Sequence, residues 1–582
     1  MLRTITILAG AGLLAWGCAS VTASSDQCKV DSDCESILGL AAGKVTCEVG
    51  QCNRKNDIIQ PATEDAGATV AVCTSTAQCE TDLGSPALCL KPGVDPCVKL
   101  TSPECPEVTP NYKKGNPVFV GVMIPNTFLV DGSEVDSSYD QTVTNGAKLA
   151  FEEWDAQTGG GIATGAARRP IVGIFCNTKS DAATRDAAYD HLSKRVGVQA
   201  VVVRNTNEAS ALVPRTTTDG RLLYCTDCIP EATAAGVATK GLVWHQAPSP
   251  LLDVPVRADW VKRVERRIRA QRALAPTAQL KVVFVNITDT GYPEWAAASI
   301  AALRVNEKTA TENGANFVRI TRTSADTDAF GFAREIVGHR PDIIIGMGFG
   351  AYWHTQAMPA IEAYWPSDKP RPNYVMASDE AANASRWRYS VGTNEGLRKR
   401  LQGTWLADEA IEYDAIDAFQ ANYAAKFAGA DAQYISNGYD AINALSYAIA
   451  GAVSSATTVQ DTLNGGDIAR QFARLVPGTD AGVERPRTQF VPSGIANGVA
   501  ALALGKGLDL QACLGNLDWN PATGYILANA ETYCGAFSSR RGHVAPTDTG
   551  LVYATRIGKM VSNDDGRELT SLGDEDVYPE CF

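Results

Sequence analysis

Cysteine is the side chain whose spacing points most clearly to chemistry. The chain has sixteen, nine of them between Cys28 and Cys105. Cys28-x5-Cys34 recurs as Cys73-x5-Cys79, and each pair is followed by Glu and further cysteines. The region has no His and no CxxC pair, so a tetrahedral zinc set is not assembled. It reads as two small loop-rich units, residues 28–105, stapled by disulfides and folding apart from the rest. Cys225-x2-Cys228 has the spacing of a thioredoxin motif. Pro230 and a polar run follow where a redox site needs a helix N-terminus, so a local structural disulfide is expected. Cys513 and Cys534 flank a hairpin pattern and are expected to pair. With Cys18 either lipidated or cleaved away, fifteen cysteines remain and at least one lacks an intramolecular partner. Cys176 is the candidate. A 2-1-3-4-5 sheet order sets it three strand spacings, about 14 Å, from Cys225, beyond disulfide reach.

Other chemistries find no footing. GMGFG (346–350) follows a strand, but the full G-x-G-x-x-G is absent, and a tight turn with close backbone approach is the better reading. There is no Walker A pattern, no HExxH and no GxSxG. The five histidines (191, 245, 339, 354 and 543) show no ligand spacing. No catalytic residue, metal or cofactor is expected. The net charge of −13 argues against nucleic acid, since no basic stripe is available to release phosphate counterions. The one basic run, 262–272, suits the solvated face of a helix.

The elements that must position any site begin with PVFVGVMIP (117–125), a short apolar run bounded by turn residues. IVGIF (171–175), QAVVV (199–203), RLLYC (221–225) and GLVW (241–244) follow, with amphipathic helices at 139–155, 181–196 and near 209–218. Strands apolar on both faces, alternating with helices, specify a parallel sheet covered on both sides. Ligands of such sheets bind beyond the carboxyl ends of the strands. The polar segments 126–139, 205–210 and 226–228 are therefore the candidate site. A second alternation starts near residue 255: helices at 258–274, 294–305 and 328–338, and strands at 279–287, 315–323, 341–350 and 373–380. Two helices without a strand between them, 414–429 and 437–453, must return to the first lobe, through the segment around Gly403. Residues 514–526 read as a hairpin around a Pro/Gly turn.

This order of elements, with Phe419, Tyr423 and Phe427 on one helix, NGYDAINALSYAI on the next and the closing LDWNPATG, resembles the type 1 periplasmic binding proteins. Among these it is most similar to the leucine/isoleucine/valine-type receptors of ABC transporters. The resemblance covers about residues 116–535. It implies an α/β fold of two Rossmann-like, doubly wound lobes joined by three crossings and closing like a hinge on a small solute. It implies no catalysis, and an ABC transporter permease as partner. Carried over position by position, the first lobe offers Tyr139, Thr206, Asn207, Thr226 and Asp227, and the second Tyr292, Phe349 and Asp379. Hydroxyls and amides suit a carboxylate or amide, a carboxylate suits an ammonium group, and aromatics cover apolar parts. Two departures stand out. The run after VVVR reads NTNEAS, with Glu208 in it, and Asp227 puts negative charge where a carboxylate would dock. A cationic or amide solute is therefore expected alongside an amino acid-like one.

Arg3 precedes a short apolar core at 5–16, as in a secretory leader. LLAWGC (13–18) resembles a lipoprotein signal with Cys18 as the lipid anchor; cleavage after Ala23 is the alternative. Export to the periplasm or cell envelope, with membrane attachment through lipid, follows. The expected division is a leader at 1–23, a cysteine-rich region with linkers at 24–112, lobe one at 116–245, lobe two at 246–404, a return to lobe one at 405–495, and 496–582 largely with lobe two. A sensory or structural envelope lipoprotein on the same fold is the competing functional reading.

Overall fold

The computed structural model describes residues 45–48, 51–54 and 72–562, apart from 131–132, 165–166, 234–235, 237, 289–291, 324–327, 348–352, 378–390, 392–393, 407–412, 433–434, 456–462, 514, 539–544 and 555–558. The chain divides into two units, residues 1–70 and 71–582. In the first, a hairpin of Val45–Glu48 and Gln51–Arg54 sets Cys47 opposite Cys52. The segment expected to be a leader, 1–23, and Cys18 within it lie outside the described residues.

The second unit holds two doubly wound lobes. In lobe one, Val118–Ile124 (β1), Ile171–Asn177 (β2), Ala200–Asn205 (β3), Leu222–Asp227 (β4) and Val243–His245 (β5) form a parallel sheet in the order β5-β4-β3-β1-β2. Side chains alternate between two cores, as the pleat requires. Val118, Val120 and Val122 enter one with the helices Ser138–Gln157 (α1), Tyr413–Lys426 (α7) and Asn437–Ser455 (α8). Phe119 and Met123 enter the other with Ala182–Asp190 (α2) and Thr206–Asp219 (α3). Helix α8 has come back from lobe two. It lies so close to α1 that a Cβ on Gly438 would stand 1.9 Å from the carbonyl oxygen of Val143, and Trp154 Nε1 donates to Asn443 Oδ1 at 2.8 Å.

Lobe two repeats the order with Val282–Thr288 (β6), Phe317–Thr323 (β7), Ile343–Met347 (β8), Asn373–Ala377 (β9) and Leu401–Leu406 (β10), arranged β7-β6-β8-β9-β10. Helices Val254–Gln271 (α4), Tyr292–Ala302 (α5) and Ala329–His339 (α6) cover its faces. Ala530–Ser538 (β11) adds an antiparallel strand to β10. This is the type 1 periplasmic binding fold. Among the described residues no helix is long and apolar enough to cross a membrane.

Five expectations need correction. The segment around Gly403 is the strand β10, held by β9 on one side and β11 on the other. Residues through Ile526 pack in the lobe-one core with the helix Pro492–Ala503 (α9) and the hairpin Trp519–Asn520/Tyr525–Ile526. The final crossing therefore falls between Ile526 and Ala530 rather than at 496. Cys513 and Cys534 do not pair: Cys513 is a buried free thiol in the lobe-one core, while Cys534 is disulfide-bonded in lobe two. Cys176 is not free but joins Cys105. The unit from Cys73 to Cys105, stapled by Cys73–Cys89 and Cys79–Cys97, is not independent. Leu88, Val98, Leu100 and Cys105 share a core with β1 to β4. The expected local disulfide Cys225–Cys228 is present.

Candidate functional site

The order of the lobe-one sheet reverses between β1 and β3. The helix after β1 goes to one face and the helix after β3 to the other, which opens a crevice at their carboxyl ends. Both helices start there with the same device. Ser137 caps α1 by accepting from Asp140 N–H at 3.3 Å. Asn205 caps α3 by accepting from Glu208 N–H at 3.0 Å. Each thus carries an acidic residue three places after its cap, which complements the positive end of its dipole.

Arg204, near the end of β3, occupies the crevice. Its Nε lies 2.9 Å from Asp140 Oδ1 and 3.3 Å from Asp227 Oδ2, and its guanidinium stacks on the Tyr139 ring at 4.6 Å. Asp227 also accepts from Asn437 Nδ2 at 2.6 Å and lies 3.3 Å from the Tyr139 hydroxyl. Burial pushes the carboxyls of Asp140 and Asp227 upward, with Arg204 pulling against it. Burial works against the charge on Arg204, but Asp227 and Asp140 outweigh it and hold the guanidinium protonated. Sequence reasoning missed Arg204 and Asn437. The available signal was an arginine closing an otherwise apolar strand.

The structure brings Tyr139 and Asp227 together, and gives Thr206 and Thr226 another role. Thr206 Oγ1 accepts from Ile229 N–H at 3.0 Å, and Thr226 Oγ1 donates to the Arg204 carbonyl at 3.4 Å. Both are buried and tie the β3 and β4 loops together. Asn207 is exposed. In lobe two, Tyr292 opens α5, while its side chain, Phe349 and Asp379 lie outside the described residues. Between the lobes, Ile229, Glu231 and Ala232 face Pro250 and Leu251 of the first crossing and Glu294 and Trp295 of α5, around a cleft with room for about a single water. His245, at the end of β5, is buried with neither ring nitrogen hydrogen-bonded among the described residues, and burial holds it neutral with a pKa of about 3.

Glu208 adds a pH response. It is buried, its Oε1 accepts from the Thr178 hydroxyl, and its Oε2 has no hydrogen-bond partner among the described residues. Burial raises its pKa to about 7. The Thr178 bond, Arg185 and Arg204 oppose that rise, and Asp140 adds to it. A carboxyl with a raised folded-state pKa binds more protons folded than unfolded between about pH 4.5 and 7, so stability falls as pH rises through that window. The fall should amount to about 3 kcal/mol. Glu208→Gln should flatten that slope in chemical denaturation at pH 5 and pH 8; parallel profiles would show that Glu208 does not titrate there.

The geometry comprises two doubly wound lobes, a polar crevice at the switch point of the first and a small cleft between them. No protein-family model matches the sequence, and no curated protein matches it. Among solved structures, the chain is similar to the branched-chain amino acid transporter substrate-binding protein LivJ of Streptococcus pneumoniae in complex with isoleucine. Identity is 14%, coverage 74% of this chain and 100% of that one, and the TM-score 0.47. An ABC transporter substrate-binding protein of Aeropyrum pernix gives 16% identity, coverage of 75% and 96%, and a TM-score of 0.45. A solute-binding protein of Rhodopseudomonas palustris, in complex with 3,4-dihydroxybenzoic acid, gives 12%, 74% and 96%, and 0.46.

Proposed function

We propose that the chain is a non-enzymatic solute receptor that captures a small amino acid-like, amide or cationic molecule between its lobes. In this reading it is exported, anchored in a membrane through lipid on Cys18, and delivers its solute to an ABC transporter permease. One observation carries the reading: the crevice where lobe one reverses its strand order is lined by polar side chains from β3, β4, α1 and the returning α8, with Asp140 buried and Arg204, Asp227 and Asn437 half-buried. A chain that needed only a stable core would be expected to fill such a crevice with apolar groups, because each buried charge costs desolvation. Thr206, Asn207 and Thr226 shape the loops, and Tyr292, Phe349 and Asp379 are proposed to face the solute from lobe two.

The docking of the Cys73–Cys105 unit on lobe one through Cys105–Cys176 favours a second reading, a sensory or structural envelope protein on the same fold. The two part on one measurement. A receptor's melting temperature should rise on addition of its solute, by an amount equivalent to about 2.7 kcal/mol at a hundred times the dissociation constant. Its radius of gyration should fall as the lobes close. A screen of amino acids, amides and small amines that moves neither quantity would remove the receptor reading.

A further inference from the structure

We infer that Arg204 is the solute-recognising residue of lobe one and that the solute carries a carboxylate, which the guanidinium grips with its two terminal nitrogens. The inference rests on the solute-receptor reading above and narrows its three solute classes to one.

Three acids surround this one base, and each is accounted for. Asp140 and Glu208 sit in the first turns of α1 and α3 and answer those helices' positive ends. Asp227 has both oxygens engaged, Oδ1 by Asn437 and Oδ2 by Tyr139 and Arg204. Asp227 thus has no free oxygen for a cation, and Asp140 Oδ1 and Glu208 Oε2 are sealed from solvent. Arg204 differs. Its Nε is sealed from solvent between Asp140 and Asp227, yet 28% of its side chain is exposed. Among the described residues its terminal nitrogens take no hydrogen bond, and unlike Nε they are not sealed from solvent.

The guanidinium is also immobilised, stacked on Tyr139 and pinned on its inner side. A planar pair of N–H donors held in this way matches the two oxygens of a carboxylate and adds geometry to charge. An amide would bring its own N–H donors against donors, and an ammonium group would meet like charge. Asp227, which in the sequence argued against a docked carboxylate, serves instead to hold the arginine that receives it.

The test uses the full chain in thermal-shift assays with matched probes: L-leucine against L-leucinamide, benzoate against benzamide and benzylamine, and methyl phosphate as a non-carboxylate oxyanion. At least one carboxylate should raise the melting temperature by several degrees while its amide and amine do not. Arg204→Lys keeps a cation between Asp140 and Asp227 but loses the fork, and should weaken that carboxylate at least tenfold by calorimetry. Arg204→Gln should abolish its binding; if that variant does not fold, Arg204→Lys decides. Stabilisation by an amide, an amine or methyl phosphate without any carboxylate overturns the inference and leaves the receptor reading standing. So does carboxylate binding that Arg204→Lys leaves unchanged. No response from any probe overturns both.

Discussion

Asp253→Ala should destabilise lobe two by about 3–5 kcal/mol, the cost typical of leaving one member of a buried ion pair alone. Asp253 ends the turn Pro250–Asp253 in the first crossing, and Arg257 lies one turn later in α4, with both side chains wholly buried. The guanidinium pairs with Asp253, donates to the Ser299 hydroxyl in α5, meets Met347 Sδ at 3.6 Å at the end of β8 and lies 4.9 Å from the Trp295 ring. It thus joins the crossing to two helices and a strand end. Burial alone already lowers its pKa to about 9, so a guanidinium left there without Asp253 has no compensating carboxylate among the described residues. Arg257→Met should lose a comparable amount by stranding the carboxylate. The double variant Asp253→Leu/Arg257→Met should recover most of the loss, because an apolar pair removes both desolvation costs. Urea midpoints of the four proteins decide the matter. Single-variant losses under 1 kcal/mol, or a double variant as poor as the sum, would show that the pair is not the buried unit described.

The sequence makes the repeated part of the fold legible because the strands β1 to β4 are apolar on both faces and short, which leaves little alternative to a covered parallel sheet. It does not make β10 legible. LQGTWL is half polar with a glycine inside, and it becomes a strand because β9 and β11 pair with it from both sides, tertiary context overriding a weak local preference. The site divides in the same way. That the loops after β1, β3 and β4 carry the polar groups follows from topology, but the direction of each side chain does not. Thr206 and Thr226 have suitable chemistry and turn inward to bridge two loops, while Arg204 ends a valine run and holds the crevice. Distance reasoning ruled out Cys225 as a partner for Cys176 but overlooked Cys105. The two-residue edge strand Glu107–Val108, which runs antiparallel to β2 and brings Cys105 alongside, is too short to leave a periodic signal.

Removing that disulfide should have an effect of similar size. Cys105–Cys176 closes a loop with a sequence separation of 71, and the chain-entropy model assigns such a closure about 4 kcal/mol of stabilisation through restriction of the unfolded chain. The docked segment has further ties to the lobe: the Asn177 N–H donates to the Glu104 carbonyl at 2.9 Å, His191 Nε2 lies 3.1 Å from the Leu100 carbonyl oxygen, and Val108 and Glu107 pair with Ile174 and Phe175. These contacts exist only in the folded chain. They can hold the segment in register but restrict the unfolded chain far less than a covalent link. Cys105→Ala/Cys176→Ala should therefore lower stability by about 2–4 kcal/mol. It should also open residues 72–105 to protease before the lobes themselves unfold, with Cys73–Cys89 and Cys79–Cys97 still intact. Mass spectrometry of time-limited digests, run beside urea unfolding, reads both effects. An unchanged midpoint with an unchanged digest would mean that the shared core of Leu88, Val98 and Leu100 with the sheet, and not the disulfide, keeps this unit on the lobe.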